Sequence, residues 1–182
     1  MTERPRRSPN EPLGMKPATR EDNLLDWLYA LRDKQRAQQK KASWLIKGKD
    51  LNWERNRQGK MKWYLHPALD DACIRSMLFF QQEIPPGGRT GAQRTPGGAV
   101  MYIIQGRGYT LLDGVRHDWE AEDVVNIPIR TDGVVVQHVN ADRREPAIFI
   151  CADLNLVDLL GVDRGAELEQ IEDAPDFGDH DA

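Results

Sequence analysis

Four histidines (His66, His117, His138 and His180), two cysteines (Cys73 and Cys151) and a scatter of acids are the groups in this 182-residue chain that could do acid–base, thiol or metal chemistry. Their spacing assembles no site unaided. The histidines are spread over the chain with no pair at ligand spacing, and neither cysteine has a histidine near it in sequence. Ser43 and Ser76 sit in no nucleophile motif. The glycine-rich stretches GGRTG (87–91) and GRG (106–108) do not join a strand to a helix, as a phosphate cradle requires, and read as tight turns. Any chemistry must therefore be assembled by the fold.

From Cys73 to about Ala152 the apolar residues recur with period two. The runs CIRSMLFFQQEI, entering at Ile74, then AVMYIIQ, GYTLLDGVRHDW, DVVNIPI, VVVQHVN and PAIFICADL read as about seven short strands, with Gly, Pro, Asn or Asp at the joins. Asp113-Gly114 is a strong hairpin signal. No long helix interrupts the series, so the pattern predicts an all-β antiparallel barrel or jelly roll over 73–153. Upstream, Leu24, Leu25, Trp27, Leu28 and Leu31 form one apolar helical stripe within 19–43, with Thr19 and Asp22 as a capping pair. That stripe is too narrow to be a domain. It is expected to pack on an outer face of the barrel, its own or a partner's, and to make the protein at least a dimer. Residues 1–18 hold four of the eleven prolines and few large apolar groups, the composition of a disordered tail.

Charge is uneven along the chain. Eleven Lys or Arg face three acids between Arg32 and Lys62, whereas ten acids face one Arg between Asp153 and Asp181. The basic block, interleaved with Trp44, Trp53 and Trp63, has two readings: a nucleic-acid contact with stacking platforms, or an arm whose tryptophans anchor it on the barrel. The absence of a groove-reading motif and the net charge of −4 favour the arm. A contact between the basic arm 19–72 and the acidic segment 154–182 is a third possibility. No apolar run approaches the roughly 20 residues of a membrane span, and residues 1–14 have no apolar signal-peptide core. A cytoplasmic protein with thiols kept reduced is expected.

The region 73–152 resembles the cupin superfamily, small jelly-roll barrels with a metal centre. The first cupin motif runs Gly, five residues, His, one, His, three or four, Glu, six, Gly; here Gly87, Gln93, Thr95, Ala99 and Gly106 stand at those positions with the spacing kept. In the second motif Glu122 stands for the Gly, Pro128 follows after five residues, Val136 falls where the His belongs, and Asn140 closes it, across a loop (129–135) about three residues longer than usual. The resemblance implies a cupin jelly-roll β-barrel with an N-terminal helix and extended arm, and a site for Fe, Mn, Ni or Zn held by imidazoles and a carboxylate. Gln93 and Thr95 offer only weak neutral donors there, and Ala99 and Val136 none, so the usual site is expected to be abolished.

Residues 136 and 138 share a face of a strand, so His138 should enter the interior. It either joins a displaced site with Gln93, His117 or Glu83, or is a single interior histidine hydrogen-bonded to a neighbour such as Gln93 or Thr95. The expected pocket comprises Gln93, Thr95, Ala99, Met101, Ile103, Val136 and His138, apolar with a few polar groups. Three functions follow: a metal-free cupin that binds a small molecule or serves as the non-catalytic partner of an intact cupin in a homodimer or hetero-oligomer; an enzyme (dioxygenase, isomerase or lyase) with a rebuilt metal site around His138; and, least supported, a nucleic-acid-binding regulator.

Overall fold

The structure, a computed structural model, describes residues 19–20, 23–69, 71–155 and 169–175. Among the described residues one α-helix, α1 (Leu24–Lys40), and a single 3-10 turn (Gly48–Asp50) precede the strands. The α-helix starts five residues beyond Thr19. Its cap is Asn23, whose side chain accepts from the Asp26 backbone N–H at 3.3 Å and donates to the Asp26 carboxylate at 2.6 Å. The first bond satisfies one orphan donor of the first turn, and the second, between the two side chains, fixes the cap in place. Asp22 lies outside the described residues, as does the tail 1–18. The helix buries no residue, and Leu24, Leu25 and Leu28 are more than half exposed. The apolar stripe therefore does not pack on this chain's own barrel, among the described residues.

Among the described residues eleven strands, all paired antiparallel, form two sheets: β1 (Glu54–Asn56), β2 (Gly59–Leu65), β3 (Met77–Ile84), β4 (Ala92–Thr95), β5 (Ala99–Gln105), β6 (Arg107–Leu112), β7 (Val115–Glu120), β8 (Val124–Ile127), β9 (Val134–Asn140), β10 (Ala147–Leu154) and β11 (Glu169–Glu172). One sheet has the order β1-β2-β3-β10-β5-β8, the other β11-β4-β9-β6-β7. Period-two patterning becomes period-two burial: Ala99, Met101 and Ile103 of β5 and Ala147, Phe149, Cys151 and Asp153 of β10 all turn inward. The alternation that predicts strands thus also decides which residues meet between the sheets.

Sequence and structure differ at the strand margins. β3 begins at Met77 rather than Ile74, and Ile74 is exposed. β1, β2 and β11 lie outside the 73–153 run yet extend the two sheets. The basic arm supplies the β1–β2 hairpin, and the acidic segment supplies β11. They meet through backbone and amide groups: Gln58 donates to Gln170 at 2.7 Å and the Ala174 N–H to the Arg57 carbonyl at 2.8 Å. Trp63 anchors the arm, with its ring 5.0 Å from Phe80 and its indole N–H on Glu54 at 2.8 Å. Trp44 does not anchor it, being almost fully exposed.

The motif residues hold the turns. Asp113 and Gly114, both at positive φ, form the two-residue hairpin between β6 and β7. Gly106 sits at φ 93, where an added Cβ would lie 2.8 Å from the Ala147 backbone. Glu122, in the place of the second motif's glycine, sits at φ 78, a left-handed conformation costly for a residue with a Cβ. Its N–H donates to the Ile103 carbonyl, so the strained turn also ties the β7–β8 corner to β5. Asn140 is buried and donates to the carbonyls of Ile84, Pro85 and Glu145, joining β9 to the loops beside it.

Candidate functional site

A cavity of about 520 Å³ lies between the two sheets. Gln93 and Thr95 from β4, Ala99 and Met101 from β5, and Val136 and His138 from β9 all line it. The register explains the convergence: Gln93 pairs with Val136, so the two share a face, and Thr95 and His138 follow two residues along their own strands. Ile103 does not line the cavity; it is fully buried in the apolar core, opposite Phe149 on β10. The wall also contains residues not expected from the sequence: Met61 and Trp63 of β2, Leu78, Phe80 and Gln82 of β3, Cys151 and Asp153 of β10, Thr90, and at the polar rim Arg55, Arg57, Gln58 and Gln170.

His138 is held on every side. Its backbone N–H donates to the Thr90 hydroxyl at 3.0 Å, and its carbonyl accepts from the Thr90 N–H at 2.9 Å. Its ring meets Phe149 edge-on, with centroids 5.1 Å apart. Nδ1 lies 2.8 Å from the Thr110 hydroxyl, which also receives the Trp119 indole N–H at 3.0 Å. Thr110 is fully buried and has one proton to give. With Trp119 donating to it, the arrangement that satisfies every group has Thr110 donating to Nδ1, which places the imidazole proton on Nε2. Loss of bulk water at this site lowers the His138 pKa to about 4, so the ring is neutral near pH 7. Gly108 leaves room for the relay: an added Cβ there would overlap the Val139 carbonyl oxygen of β9 and lie 2.6 Å from the Trp119 ring.

Asp153 is the one acid lining the cavity, among the described residues. It is 7% exposed, and desolvation raises its pKa to about 6, partly offset by the Leu154 N–H. Cys151, two residues before it on the same face, is pushed up by burial and by the Asp153 charge, so its thiol is inert as a nucleophile near neutral pH. The other groups considered for a displaced metal site lie elsewhere. Glu83 is ion-paired with Lys60 at 2.9 Å and is not in the cavity wall. His117 is exposed on edge strand β7. His66 packs against Trp63, and His180 lies outside the described residues.

A resident metal does not fit this donor set. Ala99 and Val136 have no donor atom, Gln93 and Thr95 have neutral oxygens, and His138 is a lone imidazole with no second imidazole beside it among the described wall residues. Among the described residues no three His, Cys, Asp or Glu side chains are grouped to hold an ion.

No sequence-family profile matches this chain, and no curated protein matches it. Solved structures do. A cupin-like protein from Thermotoga maritima superposes with a TM-score of 0.50 at 21% identity, over 66% of this chain and 87% of that one. A conserved protein with a double-stranded β-helix domain from Klebsiella pneumoniae gives 0.52 at 16% identity, over 71% and 98%. The polyketide cyclase RemF from Streptomyces resistomycificus gives 0.52 at 14% identity, over 62% and 80%. Two antiparallel sheets closing on one cavity define the class: this chain has the cupin jelly-roll fold.

Proposed function

We propose that this chain is a ligand-binding cupin that works without a resident metal, and that its barrel takes one small, largely apolar molecule. The observation that carries the reading is the cavity, with Met61, Trp63, Phe80, Met101, Ile127, Val136 and Phe149 as apolar wall and His138, Gln93 and Asp153 as isolated polar groups within it. A ligand site has that composition, whereas a barrel filled by its own side chains leaves no such volume. The neighbouring structures carry names as different as polyketide cyclase and coconut allergen, so the shared fold selects no activity.

Screening a small-molecule library against the protein by ligand-observed NMR and calorimetry tests the reading. Binders are expected at a stoichiometry of one, and Val136→Trp, which fills the cavity, should abolish them while circular dichroism stays unchanged. Binding that survives Val136→Trp would move the site out of the barrel. Stoichiometric Fe, Mn, Ni or Zn in the purified protein, lost in His138→Ala, would overturn the metal-free reading and restore the metal-dependent enzyme.

The protein is cytoplasmic and at least dimeric in this reading. No helix is long and apolar enough to cross a membrane, among the described residues. Two apolar surfaces support assembly: the α1 stripe, and Val100, Tyr102, Ile104 and Val124 on the outer face of β5 and β8. Nucleic-acid binding draws no support from Trp53, whose ring is already covered by the Lys60 and Lys62 ammonium groups at 4.7 and 4.8 Å.

A further inference from the structure

Asp153 occupies the last inward position of β10 beyond Phe149 and Cys151. Its neighbours across the sheet and along the strand, Leu78 and Cys151, offer its carboxylate no partner. No side chain among the described residues hydrogen-bonds or ion-pairs with it, although it is 93% shielded from solvent by its 7% exposure. Arg55 and Arg57 reach the cavity only from the β1–β2 hairpin, at least two strands away from β10 in the sheet order. A buried carboxylate without a counter-charge is costly, and native proteins supply one from the protein or from a bound molecule. Among the described residues the protein supplies none.

We propose that Asp153 is the anchor for a ligand carrying a protonated amine, whose apolar body lies along the cavity wall toward Met101 and Phe80 and whose far end meets His138. The proposal rests on the ligand-binding reading and gives it a substrate class. The chemistry is directional. Beyond the single Leu154 N–H, an ammonium group supplies both a counter-charge and further donors, whereas a neutral hydroxyl supplies a donor only and a carboxylate ligand adds like charge. From Phe149, which the His138 ring touches, to Asp153 is four residues, roughly 13 Å of strand. The Nε2–H of His138 is a donor at that far end, so the ligand's second polar group is an acceptor such as a carbonyl or ether oxygen. The aromatic faces of Trp63 and Phe80 on the same wall tolerate a cation better than an aliphatic lining does.

Three matched probes separate the outcomes: 4-phenylbutylamine, 4-phenylbutanol and 4-phenylbutyrate, titrated into the full chain at pH 7.5. The amine is expected to bind at least tenfold tighter than the alcohol, with the acid weakest. Asp153→Asn, a near-isosteric change, should erase the amine's advantage and leave the alcohol unchanged, with the fold verified by circular dichroism. Equal binding of all three probes to the wild type, or an amine preference that persists in Asp153→Asn, overturns the anchor and leaves the barrel site standing. Tightest binding of the acid overturns it in favour of Arg55 and Arg57. Binding of none of the three at millimolar concentration overturns both the anchor and the ligand site on which it rests.

Discussion

Asp153 and His138 are perturbed in opposite senses by the same cavity, and their linkage to folding has opposite signs. Asp153 titrates at about 6 in the fold against an ordinary 3.8. Its contribution to stability is full below about pH 4 and is lost as pH rises toward 6, because the folded state keeps a proton that the unfolded chain releases. His138 titrates at about 4 against an ordinary 6.5, so its contribution is full above about pH 6.5 and is lost as pH falls toward 4. Over the shared window the two nearly cancel, and wild-type stability should vary little between about pH 4 and 6. Urea titrations should show that Asp153→Asn is more stable than wild type at pH 7.5 by roughly 1–3 kcal/mol and loses stability on acidification below pH 6.5. His138→Gln should show the reverse slope, falling as pH rises from 4 to 6; a flat profile in both variants would contradict these shifts. Glu122 gives a separate residue-scale test. Its φ of 78 costs a side-chain-bearing residue about 1–2 kcal/mol. Glu122→Gly should raise stability by about 0.5–1 kcal/mol once the greater entropy of glycine in the unfolded chain is subtracted, read as a higher urea midpoint.

Among the elements, β6 and β7 carry the histidine relay, and the pairing of Gly108 with Trp119 sets its geometry. Gly108→Ala would run its Cβ into the Val139 carbonyl oxygen of β9 as well as the Trp119 ring, so it should part β6 from β9, release Thr110 and free the His138 ring. The His138 imidazole resonances in NMR should then show the second tautomer or exchange, with a loss of stability of roughly 1–3 kcal/mol. An unchanged single tautomer would mean that another group holds the ring. The helix behaves differently. Its periodicity is real, yet Trp27 is only partly covered and its leucines face outward in this chain. Trp27→Ala should therefore cost a dilute monomer less than about 1 kcal/mol, well below the 3 or more of a buried tryptophan. If the stripe covers a second copy, the same substitution should instead lower the dimer association constant in sedimentation equilibrium.

For the whole molecule, closure of the barrel depends on segments far apart in sequence. The β1–β2 hairpin and β11 meet through Gln58 and Gln170, and Gln82 reaches up from β3 to the Gln58 carbonyl. Deleting residues 169–182 should open this side of the cavity. The expected result is weaker ligand binding and a lower melting temperature, measured by calorimetry; unaltered affinity would place the ligand away from the hairpin side.

The all-β character, the Asp113-Gly114 hairpin and the inward face of β4, β5 and β9 were legible in the sequence, because a strand's two-residue period and the turn chemistry of Gly, Asp and Asn are local properties. The convergence of Gln93, Thr95, Ala99, Val136 and His138 on one cavity followed from motif spacing together with that alternation. Ile103 obeys the same alternation but lies where the sheets close into the core, and alternation says which face a residue takes, not how deep it sits. Asp153 was invisible as a site residue. In sequence it opens an acidic run and resembles the start of a solvated tail. Only the pairing of β10 between β3 and β5 carries it inside, and only the shielding there turns an ordinary aspartate into an isolated buried charge. The relay from Trp119 through Thr110 to His138 likewise joins three strands, and what decides the histidine's proton is the number of donors and acceptors that tertiary packing brings within reach.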